Sequence, residues 1–286
     1  MPVRISGATL EGLGNIPRNA KHSYQYLLVR LLLGTATVSR GTTRSKQGTD
    51  YSSLPATAQT KTPAIAVKDF LKSYSIGGNV NKLIKVTSAD NREFYKEILS
   101  EFLNFQIQAV RGNHTSAFVF LYRILERISY SVPLLYTSTQ SDFRGTFKDL
   151  KSILNADIDG ELGLFKKFLG KGRFIDPIKL QVTQKITFAT NSGHGAKYYD
   201  LTCNRYTNFT SRDPITHEVE IKFSDIPELL ITIRNRFFHS RTGDGRDNIT
   251  SIEMPESDEY FWKINPIIAS FLAIVTLQTI AAKYHV

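Results

Sequence analysis

The sequence is poor in cysteine, and this limits the chemistry that it can support. Cys203 is the single cysteine among 286 residues, so the chain has neither a disulfide framework nor a cysteine-based metal site. We therefore expect a reducing, cytoplasmic environment. We also expect no secretory signal, because the apolar run Leu27–Leu33 is too short and carries Arg30.

Several common active-site patterns are missing as well. The segment 170–173, Gly-Lys-Gly-Arg, lacks the spaced upstream glycine and the following Ser or Thr of a phosphate-binding loop. The segment 244–247 lacks the ligand spacing of a calcium loop, and no nucleophilic serine elbow occurs. Five histidines form no pair at metal-ligand spacing: His22, His114, His194, His217 and His285. The sequence therefore predicts neither a metal nor a cofactor.

Positive charge is abundant, and it is concentrated near the N-terminus. The formal net charge is +10, and residues 1–90 contribute +8 of it, with 12 Lys and Arg against 4 Asp and Glu. Such an excess favours an anionic partner such as RNA or acidic lipid, although a solvated arm explains it as well. Residues 35–63 are rich in Ser, Thr and Gly with hardly any apolar periodicity, which is typical of a long loop or a disordered linker. We therefore expect residues 1–90 to form a basic, partly flexible N-terminal region.

Residues 91–286 are expected to form a mainly α-helical domain. Phe94, Ile98 and Phe102 recur at helical spacing, and Asp90 with Glu93 has the pattern of a capping box at the start of this helix. Further helices are predicted over 115–133, 142–154 and 161–169. Residues 172–223 alternate apolar and polar residues at 180–183, 185–188 and 218–223, which predicts a β-hairpin or a three-stranded insertion.

The last predicted helix, 257–284, is apolar nearly all the way round between Ile264 and Ala282. About 20 apolar residues are enough to span a bilayer. Interspersed polar residues such as Asn265 and Gln278, together with Pro266, favour a helix buried centrally in a bundle. No stable membrane association is therefore expected.

The segment 226–247, IPELLITIRNRFFHSRTGDGRD, carries the most informative chemistry. An amphipathic helix, with Ser224 or Asp225 as its cap and Pro227 in its first turn, ends in Arg234-Asn235-Arg236-Phe237-Phe238-His239. Histidine suits proton transfer because its unperturbed pKa is about 6.5, and arginine offers a planar fork of donors to phosphate oxygens. Asn235 and His239 are four residues apart and would share a helix face. This set of residues can hold a phosphodiester and move a proton on it.

The spacing alone is weak evidence, and ordinary structural roles remain open. Arg234 could pair with Glu228, Glu126 or another acid, and His239 could stabilise the helix C-terminus as a cation. A second Arg-x4-His occurs at Arg212 and His217, but Pro214 interrupts it between predicted strands. The copy at Arg234 differs because it ends a capped amphipathic helix.

Arg234-Asn235-x-x-x-His239 resembles the Arg-φ-x(3–5)-His signature of HEPN domains, in which φ is a polar residue. The resemblance covers about 92–285, without the insertion at 172–223, and it implies a HEPN-like helical bundle. Residues 117–130 look like the first-half helix of such domains, which often carries an acidic residue near the active site. Glu126 is the residue that matches it, although a structural pairing with Arg123 or Arg127 explains it equally well.

What the resemblance implies is a metal-independent endoribonuclease that leaves a 2′,3′-cyclic phosphate and a 5′-hydroxyl. His239 would be the general acid and base, Arg234 would stabilise the phosphorane, and Asn235 would orient His239 or the phosphate. Arg236, Arg241, Arg246 and Tyr122 are candidate contacts to RNA, with a solvated edge or simple packing as the alternatives. Expected partners are tRNA or mRNA, a second copy that completes a composite site, and a separately encoded regulator, as in bacterial toxins and anti-phage effectors. The rival functions are a non-catalytic docking module and a membrane-acting effector that uses 264–282.

Overall fold

The computed structural model describes residues 4–6, 23–40, 42–76, 83, 91–139, 141–154, 165, 169, 174–190, 192–238, 248–250 and 252–284. Within these ranges the chain is mainly α-helical, as predicted, and it has three small antiparallel sheets.

The helices of the described ranges are α1 (Tyr24–Leu32), α2 (Pro63–Ser73), α3 (Arg92–Val110), α4 (His114–Ser129), α5 (Ser131–Thr139), α6 (Phe143–Leu154), α7 (Pro177–Gln181), α8 (Gly195–Arg205), α9 (Ile226–Phe238) and α10 (Ser257–Tyr284). The strands are β1 (Arg4–Ser6), β2 (Thr37–Arg40), β3 (Thr43–Lys46), β4 (Thr49–Asp50), β5 (Thr57–Ala58), β6 (Thr183–Thr187), β7 (Ser211–Asp213) and β8 (Glu218–Lys222). They pair in the orders β1-β2-β3, β4-β5 and β6-β8-β7.

Helix α10 lies at the centre of the core, with its predicted bounds. By length and composition alone it could cross a membrane, but 89% of its most apolar stretch is buried inside the protein. Three of its buried polar side chains, Asn265, Thr276 and Thr279, donate hydrogen bonds within the fold. The Asn265 amide donates to the His114 carbonyl at 2.8 Å, and the Thr276 hydroxyl donates to the Leu272 carbonyl of its own helix at 2.7 Å. The apolar surface of α10 is therefore used in packing against the other helices.

The described residues 35–40 and 42–63 form short paired strands, where the sequence predicted a long loop or a disordered linker. They contain β2 to β5, and amide side chains join these strands to the end of α1. Gln47 Nε2 donates to the Leu31 carbonyl at 2.8 Å, and Gln59 Nε2 donates to the Leu33 carbonyl at 2.7 Å. Because polar side chains make these connections, apolar periodicity in the sequence could not reveal them.

The N-terminal region also contributes side chains to the core of the helical domain. Helix α1 packs against α3 and α10, and its buried side chains, such as Leu28 and Val29, belong to the same cluster as those of α10. Arg30 is buried as well, and its Nε donates to Thr35 Oγ1 at 2.7 Å.

Two details of the helical domain differ from the prediction. Helix α3 has Asn91 as its N-cap and Glu93 forms an ion pair with Lys96 at 2.8 Å, while Asp90 of the predicted capping box lies outside the described residues. The predicted helix 115–133 is divided, because α4 ends at Ser129 and α5 begins at Ser131. Of the predicted helix 161–169, the structure describes Phe165 and Leu169, which are helical and buried.

The insertion at 172–223 contains the three-stranded sheet β6-β8-β7, together with the helices α7 and α8. The first predicted strand was placed too early, since Leu180 lies in α7. The Asp176 carboxylate accepts from the Ile178 amide at 2.9 Å and Pro177 follows it in the first turn. Both features favour a helix start.

Candidate functional site

Aromatic rings hold the C-terminal end of α9 in place. Phe238 stacks on Phe118 of α4, with ring centres 5.7 Å apart. Phe261 of α10 contacts Phe118 at 4.6 Å and Phe237 at 5.1 Å. Such pairs stabilise a fold by about 0.5–1.5 kcal/mol each beyond the area that they bury. The end of α9 is thus anchored to both α4 and α10.

Arg234 lies one helical turn before this aromatic cluster and rests on α4. Its guanidinium carbon is 4.5 Å from the centre of the Tyr122 ring. Arg234 precedes Phe238 by four residues, and Tyr122 follows Phe118 by four. The two contacts are therefore one turn apart on both helices, which run antiparallel where they meet.

Two polar groups complete the surroundings of Arg234. Its Nη1 donates to Asn235 Oδ1 at 2.9 Å, and its Nη2 is 4.0 Å from Glu126 Oε1. The second distance is at the limit of an ion pair, and both side chains are partly exposed. A guanidinium has five N–H donors, so an incoming anion can still be bound by this group.

The ring of Tyr122 packs against the guanidinium of Arg234. It is only 8% exposed, and burial, followed by the negative charge of Glu126, raises the pKa of Tyr122 to about 12, while the charge of Arg234 lowers it. The phenol is therefore neutral near pH 7. The ring was a predicted contact for RNA, but its face is covered by the guanidinium and does not present a free surface for a base.

Arg123 and Arg127 lie beside the site, and the sequence analysis gave them no role of their own. Arg123 pairs with Glu101 of α3 at 3.1 Å, and Arg127 pairs with both Glu101 and Glu97. The alternative that Glu126 serves as their partner is not what these ion pairs show. Arg123, Glu126, Arg127 and Tyr130 line a cavity of about 240 Å³. Their spacing of three and four residues on α4 was the signal that could have found it.

The structure does not bring Arg236 to this cluster. Two residues along a helix correspond to a rotation of about 200°, and Arg236 lines a different, small cavity with Arg205 and Ile249. Its carbonyl accepts from the Ile249 amide at 2.7 Å, so the chain returns to the end of α9 at residue 249. The other site residues predicted from the sequence, His239, Arg241 and Arg246, lie outside the described residues.

The second Arg-x4-His has different surroundings. Arg212 lies in β7, and its Nη2 donates to the Thr207 carbonyl at 2.7 Å. His217 lies in a turn with a φ of 54°. Its ring centre is 6.0 Å from that of Tyr199. This copy is not helical, as its proline predicted.

Within the ranges that the structure describes, no group of three or more His, Cys, Asp or Glu is arranged to hold a metal ion. Comparison of the chain with models of protein families, with curated proteins and with solved structures finds no match.

Proposed function

We propose that the protein is a metal-independent endoribonuclease of the HEPN type. The observation that carries the proposal is the meeting of Arg234 and Asn235 with Glu126 and Tyr122 at a partly exposed edge between α9 and α4. Arg234 and Asn235 belong to the Arg-Asn-x-x-x-His segment. An arginine placed over a neutral ring, beside a loosely held carboxylate, is suited to receive a phosphodiester.

In the proposed reaction the ribose 2′-oxygen attacks phosphorus and the bond from phosphorus to the 5′-oxygen breaks. A base takes the proton of the 2′-hydroxyl, and an acid gives a proton to the departing 5′-oxygen, leaving a 2′,3′-cyclic phosphate and a 5′-hydroxyl. His239 supplies proton transfer, since imidazole titrates near neutral pH. Arg234 stabilises the added charge of the phosphorane, a contribution usually large in such sites.

The supporting residues keep Arg234 in position before RNA arrives. Tyr122 lies under the guanidinium, Asn235 accepts one of its N–H groups, and Glu126 attracts it without a close contact. A phosphate that binds Arg234 would compete with a single carboxylate at 4.0 Å. A second copy of the chain would bring a second histidine, so that base and acid are separate groups. We propose such a homodimer in the cytoplasm, acting on tRNA or mRNA and restrained by a separate regulator.

The test is cleavage of cellular RNA by the purified full chain in EDTA, with fragment ends analysed for cyclic phosphate. Arg234→Ala and His239→Ala should each lower the cleavage rate by about 100-fold or more, the usual scale for a lost acid–base or charge-stabilising group. Arg212→Ala and His217→Ala are the matched controls, because they change the second Arg-x4-His, and both should cleave normally.

The same four variants are also expressed in cells, where growth and RNA integrity are followed. Cleavage that survives Arg234→Ala would contradict the proposal. So would a wild type that neither cuts any RNA class in solution nor arrests growth more strongly than His239→Ala.

A docking module is the second candidate, because exposed aromatic side chains occur at the end of α9 and on the neighbouring α10. Phe238 of α9 is exposed, and so is Trp262 of α10, whose ring lies 6.4 Å from that of His114 at the start of α4. Such side chains are typical of interaction surfaces. Under this alternative Arg234→Ala would leave the biological effect intact. The membrane-acting alternative is weaker, because 89% of the most apolar stretch of α10 is buried inside the protein.

A further inference from the structure

Helix α6 exposes two phenyl rings side by side. Phe143 is 86% exposed and Phe147 is 68% exposed. They are four residues apart, so they are neighbours on one face of the helix, separated by about 6 Å along its axis. Burying a phenyl ring stabilises a fold, whereas a ring left in water contributes nothing of this kind. Within the described part of the chain, packing therefore does not explain why these two rings are exposed to solvent.

Three cations border these rings. Arg144, Lys148 and Lys151 are exposed, and at about 100° per residue they lie with both rings within an arc of about 140°. We call this arc the exposed face of α6. Among the described residues, no ion pair joins any of the three cations to a carboxylate.

The carboxylates of this region are directed elsewhere. Asp149 lies on the opposite side of α6 and accepts from the Tyr136 hydroxyl at 2.8 Å. Asp142 accepts from the Gly145 amide at 3.0 Å at the start of the helix. The exposed face of α6 therefore combines two exposed aromatic rings with three positively charged side chains.

Aromatic rings interleaved with cations fit a single-stranded nucleic acid. Its unpaired bases stack on the rings and its phosphates lie near the cations, a combination that tolerates any sequence. A duplex offers the phosphates but keeps its bases stacked within the helix. An anionic membrane is the competing partner. Membrane-surface helices bury a broad apolar face, whereas this face has two rings against three cations.

We infer that the exposed face of α6 is a binding platform for single-stranded RNA, with bases on Phe143 and Phe147 and phosphates at Arg144, Lys148 and Lys151. The inference rests on the proposed function, which it deepens by naming the class of RNA.

The test measures binding of the full chain to a labelled, 2′-O-methylated single strand, which lacks the 2′-hydroxyl needed for cleavage. Fluorescence anisotropy gives Kd across a range of salt concentrations. Removing each stacking ring should weaken binding by about 5- to 100-fold, so Phe143→Ala with Phe147→Ala should have a large effect. Binding to a duplex of the same sequence should change little. Ile178→Ala with Ile215→Ala is the matched control, because both side chains are exposed.

The cations are tested through the dependence of binding on salt. Arg144→Ala with Lys148→Ala and Lys151→Ala should reduce the slope of log K against log salt by about 2, since each phosphate contact contributes about 0.7 for a single strand. The matched control removes three exposed lysines elsewhere: Lys68→Ala, Lys72→Ala and Lys96→Ala. Its slope should stay close to that of the wild type.

Each outcome decides the inference separately from the proposed function. A chain that binds the strand through the two rings but never cleaves RNA would overturn the ribonuclease and keep the platform. Normal binding by the ring variant, or no binding by the wild type, would overturn the platform whatever the cleavage result. Ring-dependent sedimentation with phosphatidylserine vesicles, together with ring-independent RNA binding, would assign α6 to a membrane instead.

Discussion

The charged side chains near the site differ in how firmly each is held. Arg234 faces a half-exposed Glu126 at 4.0 Å, with side chains that are 27% and 47% exposed. Glu101 of α3 has a side chain that is only 5% exposed, and it accepts from both Arg123 and Arg127. The first contact leaves Arg234 available to a ligand, whereas the second joins α3 to α4.

This contrast gives a stability prediction for two similar substitutions. Glu101→Gln removes a nearly buried charge that two arginines depend on, so we expect the free energy of unfolding to fall by about 1–3 kcal/mol. Glu126→Gln removes an exposed, distant partner and should cost less than about 1 kcal/mol. Urea unfolding of both variants measures the difference. Equal losses would show that Glu126 is as structural as Glu101.

At the scale of elements, short connections decide how the N-terminal helix meets the sheets. Gly34 follows α1 and leads into β2 with a φ of +70°. A Cβ there would lie 2.7 Å from the Thr49 carbonyl oxygen and 2.9 Å from Gln59 Cβ. The turn therefore needs glycine for its backbone conformation and also for its close approach to β4.

Gly34→Ala should accordingly destabilise the protein more than Gly112→Ala. Gly112 also has a positive φ, +79°, but a Cβ there would meet nothing within 4 Å. For Gly112→Ala we expect the free energy of unfolding to fall by about 1 kcal/mol, from backbone conformation alone. For Gly34→Ala we expect the free energy of unfolding to fall by about 3 kcal/mol or more, because backbone atoms of β4 must also move. Thermal unfolding of the two variants compares them, and similar midpoints would contradict the close approach.

At the scale of the whole molecule, buried tyrosines couple the fold to alkaline pH. Burial raises the pKa of Tyr51 and Tyr74 to about 12, and it raises the pKa of Tyr95 and Tyr260 as well. An unfolded tyrosine has a pKa of about 10. Above that pH the unfolded chain loses these protons while the folded chain keeps them.

The free energy of unfolding should therefore fall as pH rises from about 10 towards 12. Each such tyrosine lowers it by about 1.4 kcal/mol per pH unit while only the unfolded form is ionised. Urea unfolding at several pH values measures the slope, and tyrosinate absorbance follows ionisation directly. Tyr51→Phe should make the decline shallower by about one such increment. An unchanged slope would mean that Tyr51 ionises in the folded protein.

The bounds of many helices could be predicted from the sequence, because they depend on neighbours along the chain. α10 has its predicted limits, and α6 spans Phe143–Leu154 where a helix was predicted over 142–154. The chemistry of Arg234, Asn235 and His239 was also readable, since residue type sets charge and proton affinity.

The tertiary structure alone decided which residues meet Arg234. Tyr122 and Glu126 are distant from it in the sequence, and they reach it only because Phe118, Phe238 and Phe261 pack α4, α9 and α10 together. Tertiary contacts also hold the strands β3 to β5 beside the end of α1, through the side-chain amides of Gln47 and Gln59. Local patterns carry no record of such contacts, because their free energy depends on surfaces that meet only when the chain has folded.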